Sequence, residues 1–176
     1  MHNNAELIDS DQSLFKVLGF LYVQVSFPHW TNVRDLDCEG AKGVTFTVVD
    51  DKAEPIISIA DFTVADVSED QSEPDVTQLP EHAIDAFNAQ LQEATTAGLE
   101  SEGNELVRWM NTYLNHVDGE RALMTAYVAR VDGEDRQYVV SRLKFSGRKI
   151  VLIGSCLVRK ADELLPRLIE TMARVR

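Results

Sequence analysis

Positive charge is missing where a polyanion would need it. Between Ala53 and Val107 there is no Lys or Arg, against 13 Asp and Glu. Residues 1–52 carry a net charge of −4, this middle stretch −13 and residues 108–176 +5. Binding nucleic acid requires clustered bases that displace counterions from phosphates. The bases of the last third are dispersed along strand-like runs, without the interleaved aromatics of single-strand binders, so nucleic acid is excluded as the main ligand. Complementary charge within one fold explains the asymmetry better than an anion site.

Long apolar runs are also lacking. A membrane-spanning helix needs about 20 apolar residues, and the longest runs here, 18–25 and 150–158, have the length of strands. The chain is therefore not expected to be integral to a membrane. Its start, Met1-His2-Asn3-Asn4-Ala5-Glu6, lacks the basic and then apolar pattern of a secretory leader, which predicts a cytoplasmic protein; a periplasmic one is the alternative if a leader has been removed. The two cysteines, Cys38 and Cys156, form no close pair, so metal and redox signatures are absent. Idle thiols are expected, with a disulfide the alternative in an oxidising compartment. A Gly-rich phosphate loop, a serine elbow and His-Glu-x-x-His are missing as well. No metal site and no cofactor is predicted.

What remains is globular composition, 44% apolar and 26% charged over 176 residues, enough for one domain. Residues 1–16 are polar and read as an N-terminal tail, leaving 17–176 as a single domain. Residues 18–27 are apolar, β-branched and aromatic, a strand ended by Pro28. A polar stretch over 31–42 leads to two alternating runs, 44–49 and 56–64, which suit a hairpin. The acidic stretch 65–79 has few apolar anchors and reads as a mobile loop. Pro80 then opens an amphipathic helix in which Ile84, Phe87 and Leu91 recur at helical spacing until Gly98.

The second half is the most legible. Four β-rich runs, 105–117, 121–131, 137–145 and 149–158, are separated by Asp118-Gly119, Asp132-Gly133 and Ser146-Gly147. These pairs supply the positive φ of tight hairpin turns, so the runs form an antiparallel meander. Ile150 to Ile153 is apolar on both faces, which requires cover on both sides of the sheet. A helix over 162–175, with Leu164, Leu168, Met172 and Val175 in one stripe and Pro166 in its true first turn, supplies one cover. The fold class is α+β: an antiparallel sheet in β-β-β-α-β-β-β-β-α order with helices on both faces, an α/β/α sandwich.

That order, with Phe27-Pro28-His29-Trp30 after the first strand, the run from Val117-Asp118-Gly119 to Ala122 and Tyr127, and the closing helix, resembles the Mog1/PsbP-like fold. That group includes PsbP, Mog1 and bacterial DcrB-like proteins. The resemblance covers residues 18–175 and implies a binding or assembly module rather than an enzyme. Its DcrB-like branch implies a secretion-associated chaperone role, from which this chain departs in its polar stretch 31–42 and its acidic loop. Fold alone does not carry function across.

Candidate site residues follow from chemistry. Asp66, Glu69 and Asp70, with Glu73 and Asp75, concentrate oxygen in one loop. Their spacing does not match a calcium loop, so a solvated loop is the plainer reading, with weak calcium binding or a basic partner the sharper one. His29 and Trp30, just beyond the first strand, suit a partly exposed contact. Trp109, Tyr113 and Tyr127 either line a groove or fill the core; alternation puts Trp109 and Tyr113 on one strand face with Val107 and Val117, which favours burial under a helix. His116 beside Asp118 is the acid–base pair that a small enzyme or accessory subunit would use, though a structural role is commoner. The reading is a non-enzymatic module, monomeric or homodimeric, that engages a protein partner or a small apolar ligand through a groove near Trp30 and the acidic loop.

Overall fold

The computed structural model describes residues 4–27, 30–50 and 52–176. Among the described residues, ten strands form two antiparallel sheets, accompanied by two α-helices. The strands β1 (Ala5–Asp9), β2 (Leu14–Val17) and β3 (Leu21–Gln24) make a small sheet. The strands β4 (Asn32–Cys38), β5 (Ala41–Asp50), β6 (Ile57–Asp66), β7 (Glu105–Val117), β8 (Glu120–Val131), β9 (Glu134–Phe145) and β10 (Arg148–Leu157) make a seven-stranded sheet in the order β4-β5-β6-β10-β9-β8-β7. Helix α1 (Ile84–Ser101) joins β6 to β7, and α2 (Ala161–Ala173) closes the chain.

The meander forms as its turns predict. Asp118-Gly119, Asp132-Gly133 and Ser146-Gly147 all adopt positive φ, between 49° and 82°, the geometry that matches the right-handed twist of the strands they join. The two helices cover opposite faces. On β8, Leu123 packs with Leu91 of α1, whereas its neighbours Ala122 and Met124 join the core that holds Leu164, Leu168 and Met172 of α2. Successive residues of a strand point to opposite faces, so α1 and α2 sandwich the sheet. Gly154 of β10 lets α2 come close: a Cβ there would lie 3.3 Å from that of Leu168.

Several elements differ from the sequence expectation. Of residues 1–16, read as a tail, 5–16 hold β1 and most of β2, because Phe15 and the adjoining Val17 are buried and anchor an otherwise polar segment. The run 18–27 opens with a turn at Leu18 and Gly19, both at positive φ, and only Leu21–Gln24 within it is strand. The polar stretch 31–42 contains β4, an edge strand in which only Val33 is buried, so its sequence carries almost no apolar signal. Helix α1 runs through Gly98 to Ser101, and Pro166 lies inside α2 rather than in its first turn.

The small sheet shares one face of the large sheet with α2. Phe15 meets Phe46 edge-on at 4.8 Å, and Tyr22 of β3 exchanges two backbone hydrogen bonds with Arg176 at the end of the chain. On the other face, α1 lies over β7 and β8. Asn88 fixes it there by accepting from Trp109 Nε1 at 2.8 Å and from the Thr112 hydroxyl.

The acidic segment 67–79, expected to be mobile, is strapped to β9 and β10. Lys149 Nζ donates to the carbonyls of Asp70 and Glu73 at 3.0 and 2.7 Å. Lys144 pairs with Asp75 at 2.6 Å, Arg142 with Glu73 at 3.6 Å, and Arg148 with Asp66. The acidic middle of the chain therefore finds its countercharge in the basic last third.

Candidate functional site

Cross-strand register lays a row of side chains over the face that α1 partly covers. Trp109 of β7 stands opposite Tyr127 of β8, and Tyr127 opposite Tyr138 of β9. Their rings stack in parallel with centroids 5.6 and 4.9 Å apart, an arrangement that adds to area burial. Burial pushes the Tyr127 phenol up to about 12 and raises that of Tyr138 as well, so both stay neutral hydroxyls at neutral pH. Beyond Tyr138 the row continues into a polar knot. Arg136, nearly buried, donates to the Ser58 carbonyl at 2.6 Å, to Ser155 Oγ at 3.2 Å and to Asp61 at 3.3 Å. Asp61 also accepts from Thr47 at 2.7 Å and Ser58 at 2.8 Å. These groups satisfy one another.

Between α1, the strap and this face lies a groove of about 610 Å³, within the range of small-molecule sites. Its helix wall is a stripe of Phe87, Leu91 and Ala94 ending at Gly98; its opposite wall is Ser72, Glu73 and Pro74; its floor is Tyr127 and Arg142. A Cβ at Gly98 would meet nothing within 4 Å, so the stripe ends in open space. Arg142 is mostly buried, and its Nε finds no hydrogen-bond acceptor among the described residues; Glu73 Oε2 stands 3.6 Å away.

A second cavity, about 760 Å³, lies between the β2–β3 and β4–β5 turns and the end of β6. It contains two of the expected site residues, Asp66 and Glu69, with Arg148. Asp66 already accepts from Ser68 N at 2.9 Å and from Arg148. Its charges Asp66 and Arg148 pair with each other, and its wall is made of turns with no apolar helix stripe, so the groove under α1 is the stronger candidate.

The other expected residues are scattered. Asp70 is half-buried and folds back on Ser72, which donates to it from both N and Oγ; the hydroxyl bond is the main reason its carboxyl sits below the usual range. Trp30 packs edge-on against Phe15 and Phe46 at 5.2 and 6.4 Å, an extension of the core rather than an open contact. His29 lies outside the described residues. Trp109 supports the groove from behind Tyr127. Tyr113 does not share its face: the ladder shifts between Trp109 and Thr112, and this bulge leaves Tyr113 opposite Met124, on the α2 side and half exposed. His116 sits opposite Arg121 at the exposed end of the β7–β8 hairpin, apart from both cavities. Arg142 is the groove residue that sequence reasoning missed. The available signal was its alternation with Tyr138 and Val140, which turns it toward the amphipathic helix.

No family model matches the chain, and no curated protein matches it. Among solved structures it is similar to cyanobacterial PsbP (CyanoP) from Synechocystis sp. PCC 6803, at 12% identity and a TM-score of 0.50 over 85% of this chain and 94% of that one. It is also similar to PA94 of Pseudomonas aeruginosa, a protein of unknown function, at 13% identity and a TM-score of 0.44 over 97% and 95%. A third is LpqN of Mycobacterium tuberculosis, involved in cell envelope biogenesis, at 12% and 0.41 over 89% and 82%. Likeness at this level concerns architecture, and among the described residues no helix is long and apolar enough to cross a membrane. With its antiparallel sheet, meander and helices on opposite faces, the chain has the Mog1/PsbP-like fold.

Proposed function

We propose that the chain is a non-enzymatic binding module that holds a small, largely apolar ligand in the groove between α1 and the sheet. The observation that carries this reading is the groove itself, about 610 Å³ with an apolar helix wall and a floor of Tyr127 and Arg142. The titratable groups that line it are two glutamates, an arginine and a phenol that stays neutral at neutral pH. That inventory favours holding a ligand over moving protons. The expected acid–base pair, His116 and Asp118, does not line the groove.

Gly98 supplies the test. A side chain there enters open space, and replacing a mid-helix glycine stabilises a helix by up to about 1 kcal/mol. Gly98→Phe should fill the groove while leaving the melting temperature equal or higher. The neutral dye 1-aminoanthracene should brighten on the unmodified protein and on Gly98→Ala, but not on Gly98→Phe. Equal brightening on all three would refute the groove as the site.

A further inference from the structure

Resting on that reading, we infer that the groove's ligand is a single-chain amphiphile bearing a carboxylate, whose head group takes the place beside Arg142 that the Glu73 side chain now occupies.

Three observations converge on this chemistry. The first is the state of the guanidinium. Arg142 Nε is buried and without a hydrogen-bond acceptor, and its acidic partner Glu73 Oε2 stands at 3.6 Å, beyond hydrogen-bond reach. A buried donor left without an acceptor costs free energy that any well-placed acceptor recovers, and an ionised acceptor recovers most. Glu73 meets Arg142 as a loose ion pair rather than as a hydrogen bond. Its own carbonyl is held by Lys149 Nζ at 2.7 Å, so its backbone is fixed and only its side chain can adjust. A carboxylate on a separate molecule carries no such tether.

The second is the shape of the apolar wall. Phe87, Leu91, Ala94 and Gly98 follow one another at helical spacing along the groove, a stripe of roughly 16 Å from end to end. It suits an extended alkyl chain laid along the helix better than a compact ring system. Gly98 leaves its far end open, so chain length is not sharply limited there.

The third is the register that puts head and stripe together. Arg142 stands opposite Leu123 in the β8–β9 ladder, and Leu123 packs with Leu91 of α1. The guanidinium therefore lies beside the apolar stripe. Glu73 acts as an internal substitute for the ligand's carboxylate. Its side chain, 24% exposed, can swing toward solvent without breaking the backbone bonds that pin the strap.

The test is displacement of 1-aminoanthracene by decanoate, decanol and decylamine, read on the full chain. Decanoate should displace the dye about tenfold more strongly than decanol, the scale of one charge-assisted hydrogen bond, and decylamine should be weaker still. Arg142→Gln should remove the preference for decanoate over decanol. Glu73→Gln should strengthen decanoate several-fold, because the competitor is gone. Comparing the three ligands on unmodified protein needs no variant to fold. Equal displacement by decanoate and decanol, or a decanoate preference that survives Arg142→Gln, would overturn the carboxylate assignment. If the dye binds the unmodified protein but not Gly98→Phe, and decanoate fails to displace it, the carboxylate assignment falls while the groove stands. Dye binding that ignores Gly98→Phe overturns both.

Discussion

Lys149 reaches from the start of β10 to the backbone carbonyl of Glu73, 2.7 Å away. The ammonium bonds this carbonyl and that of Asp70, so it fixes the path of the strap rather than only neutralising its charge. It works beside the ion pairs of Asp75 and Glu73 and the packing of Val76 and Leu79 against the cluster under α1. Lys149→Met should cost about 1–3 kcal/mol, the range for a hydrogen bond to a charged group. It should also speed amide exchange over residues 68–75 more than elsewhere. Hydrogen exchange read by mass spectrometry checks this; uniform acceleration would mean that the lysine acts on the whole fold.

Acid should weaken the fold through Asp66. Burial pushes its carboxyl up, but hydrogen bonds from Ser68 and Arg148 together with the Arg148 charge outweigh burial and hold it below its ordinary value. The folded protein thus binds this proton less readily than the unfolded chain does. The resulting stability is complete above the unfolded value of about 3.9 and is lost as pH falls through the folded value beneath it. Asp66→Asn should therefore lower stability more at pH 7 than near pH 2. Denaturant titrations at the two pH values measure the difference, and an equal loss at both would contradict it.

The Asp61–Arg136 pair should be less forgiving than the strap pair of Lys144 and Asp75. The Arg136 and Asp61 side chains are 9% and 26% exposed, against 34% for each partner of the strap pair. Removing one partner of a buried pair leaves the other charge uncompensated, which costs about 3–5 kcal/mol. Asp61→Ala should lower stability by that order, and the double variant Asp61→Ala/Arg136→Met should recover much of the loss. Chemical denaturation of the two variants decides; a double variant no more stable than the single one would place the cost elsewhere.

The two cysteines should differ sharply in reactivity. Cys38 is exposed at the end of β4, whereas Cys156 is buried in β10 and its thiol is pushed up to about 11, chiefly by burial. The thiolate is the reactive form. Ellman's reagent at pH 8 should therefore titrate one thiol quickly, and the second only once denaturant is added. Two fast equivalents in the native protein would show that β10 is open to solvent.

Legibility in the sequence followed how strongly each element advertised its environment. The meander was plain because Asp118-Gly119, Asp132-Gly133 and Ser146-Gly147 combine turn chemistry with β-rich flanks. The strands β1 and β4 were not, because each lies at a sheet edge and exposes most of its side chains. The β2–β3 turn was hidden by Leu18, which adopts positive φ, a conformation that bulky side chains rarely take. Bulges defeated the alternation argument on β7 and sent Trp109 and Tyr113 to opposite faces. At the candidate site, Tyr127 could be named as a groove aromatic from its residue type. Arg142 could not, because the environment of one base among many depends on which distant segments cover it. The expected mobility of residues 65–79 failed for the same reason: the lysines and arginines that hold this segment lie some 70–80 positions later in the chain.

The pairing of β6 with β10, from Asp66 opposite Ile150 to Ala60 opposite Cys156, has a kinetic consequence. Each half of the large sheet is built from hairpins between sequence neighbours, whereas this seam joins segments separated by the strap, α1 and three strands. Closing it carries a large loop entropy, so it belongs among the late and slow steps of folding. The strap and α1, which wall the groove, are part of the connection that the closing seam draws onto the sheet. A molecule held in the groove would bind only the closed form, and so would act as a clasp on the seam, adding stability that grows with the logarithm of its concentration.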